Sequence, residues 1–309
     1  MRIIYMGTPE FAAEPLEALF KSGFEVVLAV TRPDRARGRG KQIQSPPVKD
    51  VALRYGMPLL QPETVKGNAE FLRSLAEAEA DLIVTAAYGR ILPVEALSAP
   101  RLGCVNIHAS LLPKYRGAAP IQRAVIDGEE ETGVSLMWMT EEMDAGDVIA
   151  VKKTAIGRKT ASELFTELAG LGAGLLVEAL PDIEAGRAER RPQDHSEATY
   201  APMIRKEEGH VDFTQPPEVI ERLIRGMNSQ PGAYTMFRGA PLKLWGSEIL
   251  DGVCAESPGT VISADGGGIA VSAGGRAILL TMLQAPGKKA MTAADFIRGN
   301  RISVGEIMS

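Results

Sequence analysis

The amino-acid sequence predicts a two-domain protein, in which an α/β domain with a mainly parallel sheet precedes a small β-rich domain. The chain of 309 residues exceeds the size at which single hydrophobic cores stop growing. Its first half alternates short apolar runs with segments of helical period, as in parallel sheets covered by helices. Its last part has short strand-like runs separated by Gly-rich turns, which predict a small barrel or sandwich.

The elements of the first domain follow from apolar runs and helix caps. Strands are predicted at residues 2–6, 24–31, 81–86 and 103–108, and helices at 48–55 and 68–78. Asn68 is placed to cap the second of these helices. The start of the helix after the first strand is ambiguous, because Pro9 and Pro15 each fit a first helical turn. Thr160 and Glu163 form a capping-box pattern that predicts a long helix closing the domain.

A polar segment separates the two predicted domains. We set the first domain at residues 1–189, a linker at 190–208 and the second domain at 209–309. In the second domain, an apolar face at helical spacing predicts a helix from Pro217. Strands are predicted at residues 234–237, 241–247, 259–263, 268–272 and 277–283, and Thr292 with Asp295 begins a last short helix.

Composition excludes several classes of protein. The 45% hydrophobic and 24% charged residues are typical of a globular chain. No signal peptide or run of about 18 apolar residues is present, so we expect a cytoplasmic protein without membrane spans. The two cysteines lie in separate predicted strands, which argues against a disulfide framework. The three histidines form no pairs at ligand spacing, so we expect no metal.

Charge is unevenly distributed along the chain. The net charge is -5, which argues against a basic surface over the whole molecule. Residues 32–41, RPDRARGRGK, nevertheless carry five basic side chains and one acidic side chain. This segment is either a solvated surface loop or a binding site for phosphates.

The segment LGCVNIHAS, residues 102–110, places Asn106 and His108 on the same face of a strand. They are either hydrogen-bonded core residues or part of a site, and the long loop that follows favours a site, because ligands of open α/β sheets bind at the carboxyl ends of strands. A carboxylate partner is expected in MDAGDVI, where the residues alone do not distinguish Asp144 from Asp147. The turn at Gly7 lacks a GxGxxG pattern, so an NAD-dependent oxidoreductase is not favoured.

Several stretches together resemble the methionyl-tRNA formyltransferase family over nearly the whole chain. They are MGTPEFA, TRPDRARGRGK, AAYGRILP, LGCVNIHASLLPKYRGAAPIQRA, ETGVSLM, MDAGDV and APGKKAMTAADFIRGNR. The resemblance implies a Rossmann-like open sheet followed by an OB-like barrel. It also implies formyl transfer from 10-formyltetrahydrofolate to the α-amine of initiator methionyl-tRNA by a monomer. It selects Asp144 as the catalytic carboxylate beside Asn106 and His108.

The resemblance also assigns binding residues. Those implied for the folate are Tyr88, Arg90, Ile91, Leu92, Ser110, Leu111, Leu112 and Pro113. Those implied for tRNA are Arg35, Arg37, Arg39, Lys41, Lys114, Arg116, Lys288 and Lys289. The chain departs from some relatives in having Lys114-Tyr115 in place of Arg-Trp, and Ala145 in place of a commoner Thr.

Three other functions are compatible with parts of this pattern. A formyltransferase for another amine, such as an amino sugar nucleotide, would keep Asn106, His108 and Asp144, and so would a hydrolase that releases formate. A non-catalytic RNA-binding protein would keep the fold and the basic loop. The loop and the second domain favour tRNA as the acceptor.

Overall fold

The computed structural model describes residues 1–37 and 42–309. The chain forms two compact units. Unit 1 comprises Met1–Pro120, Glu131–Ala155 and Phe165–Pro202, and unit 2 comprises Ile121–Glu130, Ile156–Leu164 and Met203–Ser309. The predicted linker is divided between the units after Pro202, and its first part carries a short strand of unit 1.

The helices and strands are as follows. The strands are β1 Arg2–Gly7, β2 Glu25–Val30, β3 Arg35–Arg37, β4 Gln42–Gln44, β5 Leu59–Leu60, β6 Leu82–Ala86, β7 Cys104–His108, β8 Arg116–Gly117, β9 Glu131–Trp138, β10 Val148–Ala155, β11 Tyr200–Ala201, β12 Ala233–Phe237, β13 Ala240–Leu250, β14 Val261–Asp265, β15 Gly268–Ala273, β16 Arg276–Gln284 and β17 Met291–Thr292. The helices are α1 Glu10–Lys21, α2 Pro47–Arg54, α3 Ala69–Glu77, α4 Val94–Leu97, α5 Pro120–Asp127, α6 Ala161–Glu184, α7 Pro217–Gly226 and α8 Ala293–Gly299. Two 3₁₀ turns lie at His195–Glu197 and Lys206–Gly209.

Unit 1 is built on a seven-stranded sheet in the order β10-β9-β7-β6-β1-β2-β5. Strands β5, β2, β1, β6 and β7 pair in parallel, whereas β9 and β10 are antiparallel. The predicted mainly parallel sheet is confirmed. Because β6 and β7 are adjacent and parallel, the loops after their carboxyl ends lie at the same edge, where ligands of such sheets bind.

Local capping fixes the helices of unit 1. The Asn68 side chain accepts a hydrogen bond from the Phe71 N–H and begins α3, and Thr160 and Glu163 exchange hydrogen bonds at the start of α6. Pro9 is the N-cap of α1, and Pro15 lies inside that helix. The two alternatives for the start of α1 are therefore resolved in favour of Pro9.

One described helix, α6, is long and apolar enough to cross a membrane by length and composition, although half of its most apolar window is buried in the protein. Glutamates such as Glu163, Glu167 and Glu178 interrupt its sequence, so the helix contains no continuous run of about 18 apolar residues. Its leucines Leu164, Leu168 and Leu176 are fully buried. A helix packed in a protein core has the same length and composition.

Unit 2 is an antiparallel sheet in the order β12-β13-β16-β15-β14, with β17 paired to β16. Its apolar core includes residues of α7 and of the strands, among them Ile224, Leu244 and Ile278. The C-terminal residues contact both edges, since Phe237 bridges to Met308 and Thr260 bridges to Ile307. These bridges join the two edges of the sheet and close it into a barrel.

Removal of residues 306–309 should lower the free energy of unfolding by about 3–5 kcal/mol, the typical cost of losing a buried Met side chain and several backbone hydrogen bonds. Met308 is fully buried. Backbone bonds join this segment to Val261 and Gly259 on one side and to Met236 on the other. Urea denaturation measures the change, with Val304→Ala as the control because Val304 is exposed. An unchanged midpoint after the deletion would refute the closing role.

Candidate active site

Two polar residues at the carboxyl end of β7 begin the candidate site. Asn106 is half-buried and His108 is 6% exposed. Parallel pairing of β7 with β6 sets Asn106 opposite Thr85. Antiparallel pairing with β9 sets His108 opposite Ser135. These pairings hold both side chains on a rigid sheet rather than on a loop.

The Asn106 amide is oriented by its neighbour on β6. The Thr85 hydroxyl donates to Asn106 Oδ1 at 2.7 Å, so the amide NH₂ points away from β6. Its Nδ2 lies 3.5 Å from Asp144 Oδ1. An amide nitrogen has two hydrogens, and the second can donate to a substrate oxygen. Thr85 was not identified from the sequence, although a lone Thr in the apolar strand LIVTA is a polar signal.

The His108 ring is held through its Nε2 atom. This nitrogen lies 2.8 Å from the Tyr115 carbonyl oxygen, which can only accept, so the neutral ring carries its hydrogen on Nε2. Nδ1 then has a lone pair and lies 3.6 Å from Asp144 Oδ2. His108 can therefore accept a proton at Nδ1, where the carboxylate stabilises the resulting cation.

Asp144 lies close to both residues. Its side chain is 13% exposed, and its Oδ2 accepts a hydrogen bond from the Gly117 N–H at 2.9 Å. Asp144 has a φ of 52°, a left-handed conformation that costs about 1–3 kcal/mol in strain. The structure brings Asp144 together with Asn106 and His108. The backbone carbonyl of Asp147 instead accepts from the Trp138 N–H.

Cys104, at the start of β7, has no role as a nucleophile in this geometry. Its thiol is 3.5 Å from the Leu97 carbonyl oxygen, and burial raises the pKa of Cys104 to about 12. A thiol with that pKa stays protonated and unreactive at neutral pH. The polar groups that meet at this end of β7 are the amide of Asn106, the imidazole of His108 and the carboxylate of Asp144.

The loop after β7 is fixed mainly by its own polar atoms. The Ser110 hydroxyl donates to the Lys114 carbonyl at 2.6 Å. The Ser135 hydroxyl donates to the Ser110 carbonyl and accepts from the Leu112 N–H. Leu111, Leu112 and Pro113 are half-buried. Ser110 thus shapes the loop rather than presenting a free hydroxyl.

The predicted folate segment after β6 separates into buried and exposed side chains. Tyr88 and Leu92 lie in the apolar core of unit 1, and burial raises the pKa of Tyr88 to about 12. Ile91 is 71% exposed. Arg90 donates to the Glu63 carbonyl at 2.7 Å. Ile91 is therefore the large apolar side chain of this segment that is exposed to solvent.

The residues predicted to bind tRNA have different environments. Arg35 is exposed, as are Lys114, Lys288 and Lys289. Arg37 is in β3, while Arg39 and Lys41 lie outside the described residues. Arg116 differs from the others because it is 1% exposed and donates to Gln193 Oε1. Its guanidinium is thus positioned to hold a buried amide rather than a phosphate at the surface.

Within residues 1–37 and 42–309, no group of three or more His, Cys, Asp or Glu side chains could hold a metal ion. The Asp144 carboxylate is hydrogen-bonded to Gly117 and faces the imidazole of His108. These contacts suit proton transfer at His108, whereas the amide N–H groups of Asn106 suit stabilisation of an oxyanion.

Two family models match the chain, the formyl transferase model over residues 1–180 and the formyl transferase C-terminal domain model over residues 203–301. The chain belongs to the formyl transferase family. A methionyl-tRNA formyltransferase of Moorella thermoacetica is 48% identical over 309 residues, covering 100% of this chain and 99% of that protein. The Bacillus subtilis methionyl-tRNA formyltransferase is 44% identical, covering 99% of this chain and 97% of that protein. The predicted resemblance is confirmed.

Solved structures of lower identity share the fold. An N-formyltransferase from Helicobacter canadensis, solved with folinic acid and dTDP-3-aminofucose, has a TM-score of 0.68 at 18% identity and covers 90% of this chain and 98% of that chain. HypX from Aquifex aeolicus, solved with tetrahydrofolic acid, has a TM-score of 0.66 at 20% identity. The latter match covers 96% of this chain and 47% of that chain, so this chain spans about half the length of HypX.

Proposed function

We propose that the chain transfers the formyl group of 10-formyltetrahydrofolate to the α-amine of initiator methionyl-tRNA. The observation that carries the proposal is the convergence of Asn106, His108 and Asp144 at the carboxyl edge of the sheet. Relatives with 44–48% identity over almost their whole length are methionyl-tRNA formyltransferases. The products are N-formylmethionyl-tRNA and tetrahydrofolate.

In the proposed reaction, the amine nitrogen attacks the formyl carbon and the bond to the folate nitrogen breaks. Negative charge develops on the formyl oxygen, and the Nδ2 of Asn106 donates a hydrogen bond to it. One such donor is typically worth about 100- to 1,000-fold in rate. No covalent bond between enzyme and substrate is needed.

The proton of the attacking amine moves through His108. Its Nδ1 takes the proton and returns it to the departing folate nitrogen, so that the enzyme ends in its starting state. The Asp144 carboxylate, 3.6 Å from Nδ1, stabilises the transient imidazolium. The Tyr115 carbonyl keeps Nδ1 directed into the site by accepting from Nε2.

We propose that the folate lies against the loops after β6 and β7. The exposed Ile91 offers an apolar surface to a flat ring, and Arg90 supplies a positive charge beside it. Tyr88 and Leu92 support this segment from the core. From the loop after β7, Ser110, Leu111, Leu112 and Pro113 would form the other side of the binding site.

We propose that tRNA binds through the basic loop of residues 32–41 and through exposed lysines, namely Lys114, Lys288 and Lys289. Arginine and lysine side chains neutralise phosphates, and arginine also stacks on unpaired bases. Unit 2 would contribute by holding the tRNA while its acceptor end reaches Asn106 and His108. We expect a monomer that acts in the cytoplasm, where its tRNA substrate is found.

A formylation assay tests the function directly. The protein is incubated with 10-formyltetrahydrofolate and one of three acceptors: methionyl initiator tRNA, methionyl elongator tRNA or an amino sugar nucleotide. We expect formyl transfer to initiator tRNA at a much higher kcat/KM than to the others. Preference for the sugar would identify a sugar formyltransferase, and formate release without an acceptor would identify a hydrolase. No turnover with any acceptor would favour a non-catalytic RNA-binding protein.

Loss of positive charge from the basic loop should weaken the binding of tRNA but not that of the folate. The double variant Arg37→Gln/Arg39→Gln should raise the KM for tRNA about tenfold. It should also make the slope of log K for tRNA binding against log salt concentration shallower by about 1–2, because two phosphate contacts are lost. The KM for the folate should stay unchanged. Lys66→Gln/Arg73→Gln removes the same charge from exposed positions outside the loop and serves as the control. An unaltered KM for tRNA in the loop variant would refute the role.

A further inference from the structure

A buried hydrogen-bonded pair, Arg116 and Gln193, lies beside the candidate active site. Arg116 is 1% exposed and Gln193 is 7% exposed. The Arg116 Nη2 and Nε donate to Gln193 Oε1 at 2.8 and 3.2 Å. Two guanidinium N–H groups directed at one oxygen fix the amide of Gln193 in a single orientation.

The other end of the Gln193 amide holds the turn that carries Asp144. Its Nε2 donates to the Asp144 carbonyl at 2.9 Å and to the Gly146 carbonyl at 2.7 Å. Both hydrogens of the amide therefore bond to backbone on the two sides of Ala145. The left-handed φ of Asp144 needs such external support, because the local chain does not favour it.

The segment that contains Arg116 also contacts the carboxylate directly. The N–H of Gly117, the next residue, donates to Asp144 Oδ2 at 2.9 Å. Strand β8, which contains Arg116 and Gly117, pairs with Tyr200 and Ala201 of β11, a few residues after Gln193. Strand β8 thus acts on Asp144 in two ways: Gly117 bonds its side chain, and Arg116 holds Gln193, which bonds its backbone.

Other charged groups near Arg116 make weaker contacts. Its Nη1 lies 3.6 Å from a carboxylate oxygen of Glu142, a side chain that is 64% exposed. Nη1 and Nη2 each lie 3.5 Å from Nδ1 of His195. Solvent weakens an ion pair with so exposed a partner. The strongest contacts of the buried guanidinium are therefore with Gln193.

We propose that Gln193, held by Arg116, is a positioning residue that sets the Asp144 carboxylate against His108 and Asn106. The proposal rests on the proposed function and adds to it a residue from the polar segment that the sequence predicts as a linker. It assigns Arg116 to the support of Asp144. Neither residue touches the reacting atoms, so their effect must pass through Asp144.

The variant Gln193→Glu separates the two contacts of the amide. A carboxylate still accepts from the Arg116 guanidinium, but it cannot donate to the Asp144 and Gly146 carbonyls. We expect kcat to fall about 10- to 100-fold, since a small misplacement of a catalytic group has effects of this size. The KM for both substrates should change little, whereas the melting temperature should fall by a few degrees, because two backbone carbonyls lose their donor. Ser196→Ala, an exposed site in the same segment, should keep full activity.

A double-mutant cycle with Asp144→Asn is the decisive measurement. A residue that acts through Asp144 loses most of its effect once the carboxylate is gone, so Gln193→Glu should lower kcat less than threefold in that background. Single-turnover formylation with excess enzyme measures the residual rates. The pH profile of kcat should shift in the same direction in Gln193→Glu as in Asp144→Asn.

Three outcomes would overturn the proposal. They are full kcat in Gln193→Glu, an additive loss in the double variant, and a loss of kcat that parallels a loss of folded protein in thermal melts. A second variant, Gln193→Ala, tests whether the loss of kcat comes from the new negative charge. It should also lower kcat in the original chain and lower it less than about threefold in the Asp144→Asn background. Failure of the proposed function would be seen separately, as absence of methionyl-tRNA formylation by the unsubstituted chain.

Discussion

Replacement of His108 by alanine should lower the kcat of methionyl-tRNA formylation by about 100- to 10,000-fold, the usual contribution of a general acid-base group. Nδ1 of His108 faces Asp144 at 3.6 Å and is the nitrogen available to the amine proton. The KM for both substrates should change little, because the imidazole acts mainly on the transition state. Steady-state formylation of charged initiator tRNA measures the effect.

A second substitution separates proton transfer from packing. His108→Gln retains an N–H donor for the Tyr115 carbonyl but has no group that can take up a proton at neutral pH. It should be nearly as inactive as His108→Ala while unfolding close to the temperature of the original chain. Turnover within about fivefold of the original in either folded variant would contradict general acid-base catalysis by His108.

Substitution of Asp144 by asparagine should lower kcat by about 100- to 1,000-fold, comparable to the loss of one preorganised electrostatic contact. The neutral amide removes the charge that stabilises the His108 imidazolium. It also creates a conflict, because Gly117 N–H and Asn106 Nδ2 both donate toward this side chain. If the oxygen of the new Asn side chain accepts from the Gly117 N–H, its NH₂ group faces the NH₂ group of Asn106, and neither can accept a hydrogen bond.

Asp147→Asn is the matched control for this prediction. Asp147 is three residues further along the same turn. Its backbone carbonyl accepts from the Trp138 N–H, and the substitution leaves this bond in place. We expect kcat within about threefold of the original, as for surface substitutions away from special features. Equal losses in the two variants would show that negative charge in the turn, rather than the position of Asp144, is what matters.

The sequence predicts the regular elements of this fold well because their signals are local. The Asn68 cap and the Thr160–Glu163 capping box each involve residues three apart, and both are present in the structure. Strand β9 was not predicted because it lies between β7 and β10 and is buried on both faces. Gly133 and Ser135 are buried beside Val134 and Leu136, so the segment lacks the continuous apolar run that marks a strand buried on both faces.

The candidate site is less predictable because its contacts are distant in sequence. The alternation of β7 places Asn106 and His108 on one face, yet nothing in MDAGDVI distinguishes its two aspartates. In the structure, that distinction comes from a left-handed turn at Asp144 and from the Gly117 N–H, 27 positions away. Gln193 has no sequence signal at all, since it lies in a polar segment that has the composition of a linker.

The burial of Cys104 allows a dye to be attached selectively to the other cysteine of the chain. Burial raises the pKa of Cys104 to about 12, so this thiol does not react with maleimide dyes in the folded protein. Cys254, the other cysteine of the sequence, is partly exposed and lies in unit 2 between β13 and β14. A single fluorophore can thus be attached to the barrel of the unsubstituted chain, without engineered cysteines and without a label beside Asn106 and His108.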